Sequence, residues 1–306
     1  MNIREWTLPV YTILIQLSTG TLLALWTIRA IFKPQLGSAA LDRISRYPLL
    51  VGWITILTAM IGSHLHLSWP TLSLLSVFNV RTSWISREIS FTVLYSLAFT
   101  LLVAAVWTQR ASARVITLLG WATVSLGLTT IYCMARIYMM AIHPAWNTLV
   151  TPISFFGAAL LLGSISLALM LFLDLKFAEL RQTAAAPERR MILQRSLVGL
   201  TWTVGVVAAA ILGANLLLIA RLQHGDEVAR TSLQLLLGLY QPLLLLRLGV
   251  SLAGVYLLAA AVSGLRRQRR ALDTLFTSVY LSCSLLMVGE ILGRILFYAM
   301  DVRVGW

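Results

Sequence analysis

The segment GEILGRILFY, Gly289 to Tyr298, places Glu290 and Arg294 four positions apart inside an apolar run extending from about Leu275 to Met300. On a helix that spacing puts the carboxylate and the guanidinium on one face. Other ionisable residues interrupt or border apolar runs as well: His66, Glu88, Arg136 and Arg247. Such a group at a helix centre costs roughly 2.5 to 3.5 kcal/mol on insertion scales, so each one needs a local reason. Imidazole, with an ordinary pKa of about 6.5, is suited to act as a base at neutral pH, and the carboxylates and guanidiniums around it suit proton handling.

The depths of these residues are one-sided. At about 1.5 Å per helical residue, Arg294 lies roughly 10 Å below Asp301, Arg136 roughly 11 Å below His143, and Arg247 roughly 7 Å below Pro242. Glu290 is deeper, roughly 16 Å from Asp301. His66 falls one turn below Pro70, and Glu88 is expected in the first turn of its span. A secondary transporter or proton-conducting protein, the alternative reading, requires polar groups or a broken helix through the whole thickness. A site reached from one face requires them in that half alone, which is the pattern here.

The elements that must position these residues follow from hydropathy. Of 306 residues, 59% are hydrophobic and 11% charged, which excludes a water-soluble domain with a polar exterior. Apolar runs long enough to cross a hydrocarbon core of about 30 Å occur at about Leu8–Thr27, Leu49–Leu67, Ile89–Trp107, Val115–Ile142, Leu149–Leu173, Leu197–Ala220, Leu243–Leu265 and Leu272–Met300. The expected fold is an all-α integral membrane protein of eight transmembrane helices. It forms a single membrane domain, 1–306, divisible into two packed bundles, 1–145 and 146–306. The first run is too long for a signal-peptide core and lacks a small-residue cleavage site, so it is expected to be retained.

The formal charge of +13 is explained by topology. With eight spans, one set of connections carries 15 of the 24 basic residues, including Arg43, Arg46, Lys176 and the RRQRR run at Arg266–Arg270; the other face carries 6, and 3 lie within helices. By the positive-inside rule both termini lie outside, and no nucleic-acid partner is implied. Between spans, Asp174–Arg195 reads as a polar link, while Pro70–Glu88 and Arg221–Pro242 are amphiphilic and suited to lie along the outer surface. Trp6, Trp69, Trp84, Trp107, Trp146 and Trp306 fall near helix ends as interfacial anchors. Cys133 and Cys283 are too few for an iron–sulfur cluster. His64 and His66 point roughly 200° apart and cannot share a haem iron, and His143 and His224 fall in outer connections, so neither haem nor any metal site is expected in this chain.

Each polar residue also has a purely structural reading. Glu88 after Ser86 could serve a helix dipole, Arg136 and Arg247 could snorkel outward, and Glu290 with Arg294 could be a buried pair joining helices. Their convergence in one half of the membrane favours a site.

In order along the chain, HLHLSWP (His64–Pro70), SREI (Ser86–Ile89), ARIY (Ala135–Tyr138), PAW (Pro144–Trp146), TPISFF (Thr151–Phe156), LRLG (Leu246–Gly249) and GEILGRILFY resemble the membrane anchor subunit of dimethyl sulfoxide reductases, within the broader polysulfide-reductase-type anchors. Two positions depart from that pattern: His64 has no counterpart, and Trp69 stands where a small residue is usual. The resemblance implies an eight-helix anchor in a bacterial cytoplasmic membrane that oxidises menaquinol near the periplasmic face. It passes the electrons to a four-cluster iron–sulfur subunit in direct contact with its outer side, and that subunit serves a molybdopterin catalytic subunit. The resemblance carries the quinol-binding histidine and glutamate onto His66 and Glu88. His66 would accept from one quinol hydroxyl, and Glu88 would be the second acceptor or the proton exit. Arg81 or Arg87 would hold Glu88 ionised, with Arg136 polarising the other oxygen and Tyr138 alongside. Arg247, Glu290 and Arg294 would form the inner wall of an outward-facing polar cavity or a proton path.

Overall fold

The computed structural model describes residues 7–65, 79–182, 186–266 and 272–304. His66 and most of the connection that follows it lie outside these residues, as do Trp6, Trp69 and Trp306. Every regular element among the described residues is helical: α1 (Thr7–Leu65), α2 (Trp84–Thr108), α3 (Ala113–Tyr138), α4 (Val150–Leu180), α5 (Ala186–Gln223), the short α6 (Glu227–Gln234) running into a π-helical turn at Leu235–Leu239, α7 (Gln241–Arg266) and α8 (Leu272–Ala299). All but α6 are long and apolar enough to cross a membrane, which makes seven such helices.

α1, at 59 residues, is interrupted at Gly37, whose φ of 70° and ψ of 173° no helix accommodates. Glycine takes this conformation without the penalty a Cβ would bring. The two arms fold back on each other. Ser18 donates to the Gly52 carbonyl at 2.9 Å, and near the turn Arg29 reaches Asp42 at 2.6 Å and the Ser45 hydroxyl at 2.7 Å. Arg29 and Asp42 are each only 8% exposed, so each supplies the partner the other needs away from water.

The helices outrun the apolar segments. Asp174–Arg195 is not the polar link that hydropathy suggests, because α4 continues to Leu180 and α5 begins at Ala186. Beyond the apolar core the two helices carry their own compensating charges: Arg189 pairs with Asp174 at 3.2 Å and Arg190 with Glu179 at 2.6 Å.

α4 is the central element. In its most apolar stretch 72% of residues are buried, against 11% in α7, so α7 is the helix left to face lipid. α1 approaches α4 through glycine: a side chain at Gly163 would run into the backbone of Gly20, and one at Gly20 would run into the carbonyl of Ala159. In a membrane, where apolar burial does not favour one helix over lipid, such close backbone approach is a main source of attraction. α4 also packs along α5, α2 pairs with α3, and α7 pairs with α8. One hydrophobic core runs from Tyr11 through Phe155 to Leu286. A smaller one, including Trp146, Leu222, Leu236 and Met300, closes the end of the bundle where α4 begins and α8 ends. Trp146 is therefore not an interfacial anchor. It is 7% exposed, and its indole N–H donates to the Phe297 carbonyl at 2.7 Å.

Candidate functional site

The polar residues gather where α2 begins and where α3 and α8 end. α2 starts two residues earlier than the SREI motif suggests: Ser83 caps it, accepting from the Ser86 amide at 3.3 Å, and no acidic residue occupies the first turn. Glu88 thus sits in the second turn, where the helix dipole offers little, since that effect fades beyond the first turn. The carboxylate is half-buried and adjoins the Tyr11 hydroxyl of α1. Tyr11 in turn bonds the hydroxyl of Thr92, one turn along α2 from Glu88, at 3.1 Å. One turn deeper, Ser18 and Tyr95 share a hydroxyl–hydroxyl bond of 2.9 Å.

The basic residues near Glu88 are otherwise engaged. Arg87 turns back, donating from Nε to the Val80 carbonyl at 2.8 Å and from a terminal nitrogen to Arg81 at 2.7 Å, so it folds its own approach loop. Its guanidinium lies 4.2 Å from the centre of the Trp84 ring, and that of Arg136 lies 5.1 Å from the same ring. Arg81 is exposed. Among the described residues Glu88 has no ion-pair partner, so the expected pairing with Arg81 or Arg87 is not present, and Arg136 lies over Trp84 with its buried Nε lacking a hydrogen-bond partner.

Tyr138 ends α3, and its hydroxyl meets that of Tyr298 on α8 at 2.5 Å. Its ring stands edge-on to Trp146 and Phe297, with centroids at 5.2 and 5.3 Å. Above this box is a pair that sequence reasoning passed over. His143, 4% exposed, points Nδ1 at both carboxylate oxygens of Asp301, each at 2.9 Å, and stacks on Trp146 at 4.6 Å. The backbone adds a strap, with the Val304 amide donating to the Ile142 carbonyl at 3.0 Å. In sequence both residues look like solvent-facing connection residues, and no local signal marks them as partners.

Glu290 and Arg294 do not form the direct pair that their spacing suggests. Arg294, 5% exposed, donates to Gln16 Oε1 on α1 at 2.9 Å and lays its guanidinium 3.9 Å from the centre of the Phe155 ring. A side chain long enough to reach its i−4 neighbour is also long enough to reach the next helix, where a buried amide and an aromatic face outcompete it. Glu290 instead faces a cavity of about 60 Å³ with Arg247 and Arg294, alongside Ser154, Asn215 and Thr148. At about 10–15 Å³ per water the space suits a few waters and not an aromatic ring. Arg294→Gln should therefore cost about 1.5–3 kcal/mol, the range for a hydrogen bond to a charged group, and adding Glu290→Gln should not recover it. Thermal unfolding in detergent measures both variants, and recovery in the double variant would restore the direct pairing.

Seven helices long and apolar enough to cross a membrane make this a multi-pass helical membrane protein. The sequence profile of the DMSO reductase anchor subunit (DmsC) family matches residues 1–300, and the chain belongs to that family. No curated protein matches it significantly. It is thus a membrane subunit of an oxidoreductase complex.

Proposed function

We propose that this chain anchors a molybdopterin reductase and oxidises menaquinol, passing the electrons to an iron–sulfur subunit bound over the end of the bundle where Glu88 lies. The observation that carries the reading is the state of Glu88. It is a half-buried carboxylate in the second turn of α2, set against Tyr11, with no ion-pair partner among the described residues and no capping role to explain it. A carboxylate in that position can accept a quinol hydroxyl proton, a role in keeping with an anchor subunit. His66 is the second acceptor in this reading. Arg136 and Arg87 hold Trp84 as one wall of the approach, and Arg81 stays at the rim.

Counting the two arms of α1 separately gives eight crossings, which puts both termini on one side; the basic residues at the opposite end make that side the outer, periplasmic one in a bacterial cytoplasmic membrane. The shared core and the central α4 support a single membrane domain. The chemistry of the partners, molybdopterin and iron–sulfur, is theirs. This chain supplies the quinol acceptors and the docking surface.

The test uses the complex purified in mild detergent, in which molybdenum and iron–sulfur clusters should co-purify with the chain. Glu88→Gln should then lower menaquinol-driven turnover about 10²-fold, the lower end for loss of a positioned base, and weaken a quinol-analogue inhibitor, while activity with a reduced dye persists. If quinol turnover is unaffected, Glu88 is not an acceptor.

A further inference from the structure

Polar groups stand at intervals across the bundle between the Glu88 group and the Glu290 cavity, and quinol binding alone does not account for them. On one side are Glu88, Tyr11 and Thr92. On the other, Glu290 shares its cavity with Arg247 and Arg294. Between them stands the Tyr138–Tyr298 hydroxyl bond, 2.5 Å long and joining α3 to α8. Tyr298 adjoins Thr12 on α1, the residue next to Tyr11, and stands one helical turn along α8 from Arg294, which lines the cavity. The surroundings of this bond are otherwise aromatic: Trp146, Phe155 and Phe297 all lie within 6 Å of the Tyr138 ring centre, measured centroid to centroid at 5.2, 5.7 and 5.3 Å. Two hydroxyls in such a setting have each other as partners, with Thr12 beside Tyr298.

We infer that the Tyr138–Tyr298 hydroxyl pair is a proton relay, carrying protons released at Glu88 across the bundle into the Glu290 cavity. The inference rests on the quinol-oxidation reading above. Oxidation of one quinol yields one quinone, two electrons and two protons; the electrons pass to the iron–sulfur partner and the protons leave one at a time. As a proton arrives at one phenol oxygen from the Glu88 side, the proton already in the hydrogen bond shifts to the second oxygen, which releases its own toward the cavity. One proton enters and one leaves, both phenols end neutral, and rotation of the hydroxyls resets the pair. The Arg294 cation stabilises a phenol oxygen briefly short of its proton, and Glu290 receives what is released. The route has a purpose: with the electron acceptor seated over the Glu88 end, a sideways path lets protons leave in a direction the partner does not cover.

Tyr138→Phe and Tyr298→Phe each remove one oxygen of the same bond, and both are measured in the intact membrane complex. The relay predicts that menaquinol-driven turnover falls about ten-fold or more with an unchanged KM for quinol and unchanged quinol-analogue affinity. It also predicts a solvent deuterium isotope effect larger than that of the unaltered complex, and intact dye-driven activity. Unchanged turnover in either variant overturns the relay. So does a loss of turnover matched by loss of analogue affinity, which would place the phenols in the quinol pocket and leave the quinol reading standing. If neither variant assembles, the bond is structural and the relay is rejected. Failure of the quinol reading itself looks different, because the unaltered complex would then show no menaquinol-driven turnover at all.

Discussion

Replacing His66 with alanine is expected to abolish menaquinol-driven reduction in the assembled complex and leave dye-driven reduction at its full rate. The argument is one of routes. A reduced dye delivers electrons straight to the partner subunits, whereas quinol must first lose a hydroxyl proton to a base in this chain. Imidazole can take that proton near neutral pH, and no substituted methyl group can. His64→Ala is the internal control: two positions apart on a helix means roughly 200° of rotation, so this change is expected to alter quinol turnover little. Equal loss of both activities on changing His66 would point to assembly and remove it from the site.

Gly163→Leu should have an effect of a different kind. The new side chain would occupy the space of the Gly20 backbone, and a backbone cannot turn aside as a flexible side chain can. α1 and α4 would have to separate along the contact that organises the bundle, at or above the about 1–3 kcal/mol usual for overpacking. The chain should then be lost from membranes or melt early in detergent, taking quinol-driven and dye-driven membrane activity down together. Gly199→Ala is the matched control, since a methyl group there meets nothing within 4 Å. A Gly163→Leu chain that melts like the unaltered one would show that the close approach contributes nothing to stability.

The apolar runs were legible in the sequence because hydropathy is a local property of composition. The failures share a cause: hydropathy reports the membrane slab and not the helix. Arg29, Asp42 and Asp174 look like loop residues until the partners that make them affordable inside helices are known. Glu290 and Arg294 have the spacing of a pair, but spacing is silent about Gln16 on the far side of the chain. His143, Asp301 and Trp146 sit at the ends of apolar segments, where exposure is the ordinary expectation; only the inward fold of residues 139–149 against α8 buries them. Ser83 as the cap of α2 could have been found, since a serine three residues before the amide it accepts from is a sequence-level signal.

The break at Gly37 also bears on how the chain is made. The two arms of α1 touch through residues as little as 13 positions apart, contacts available as soon as that hairpin has left the ribosome. The Arg294–Gln16 bond joins positions 278 apart and can form only after α8 is in place. A guanidinium waiting in the membrane for that partner is a costly intermediate. The first arm of α1 must therefore hold Gln16 ready until α8 enters, and the arrival of α8 seals this contact.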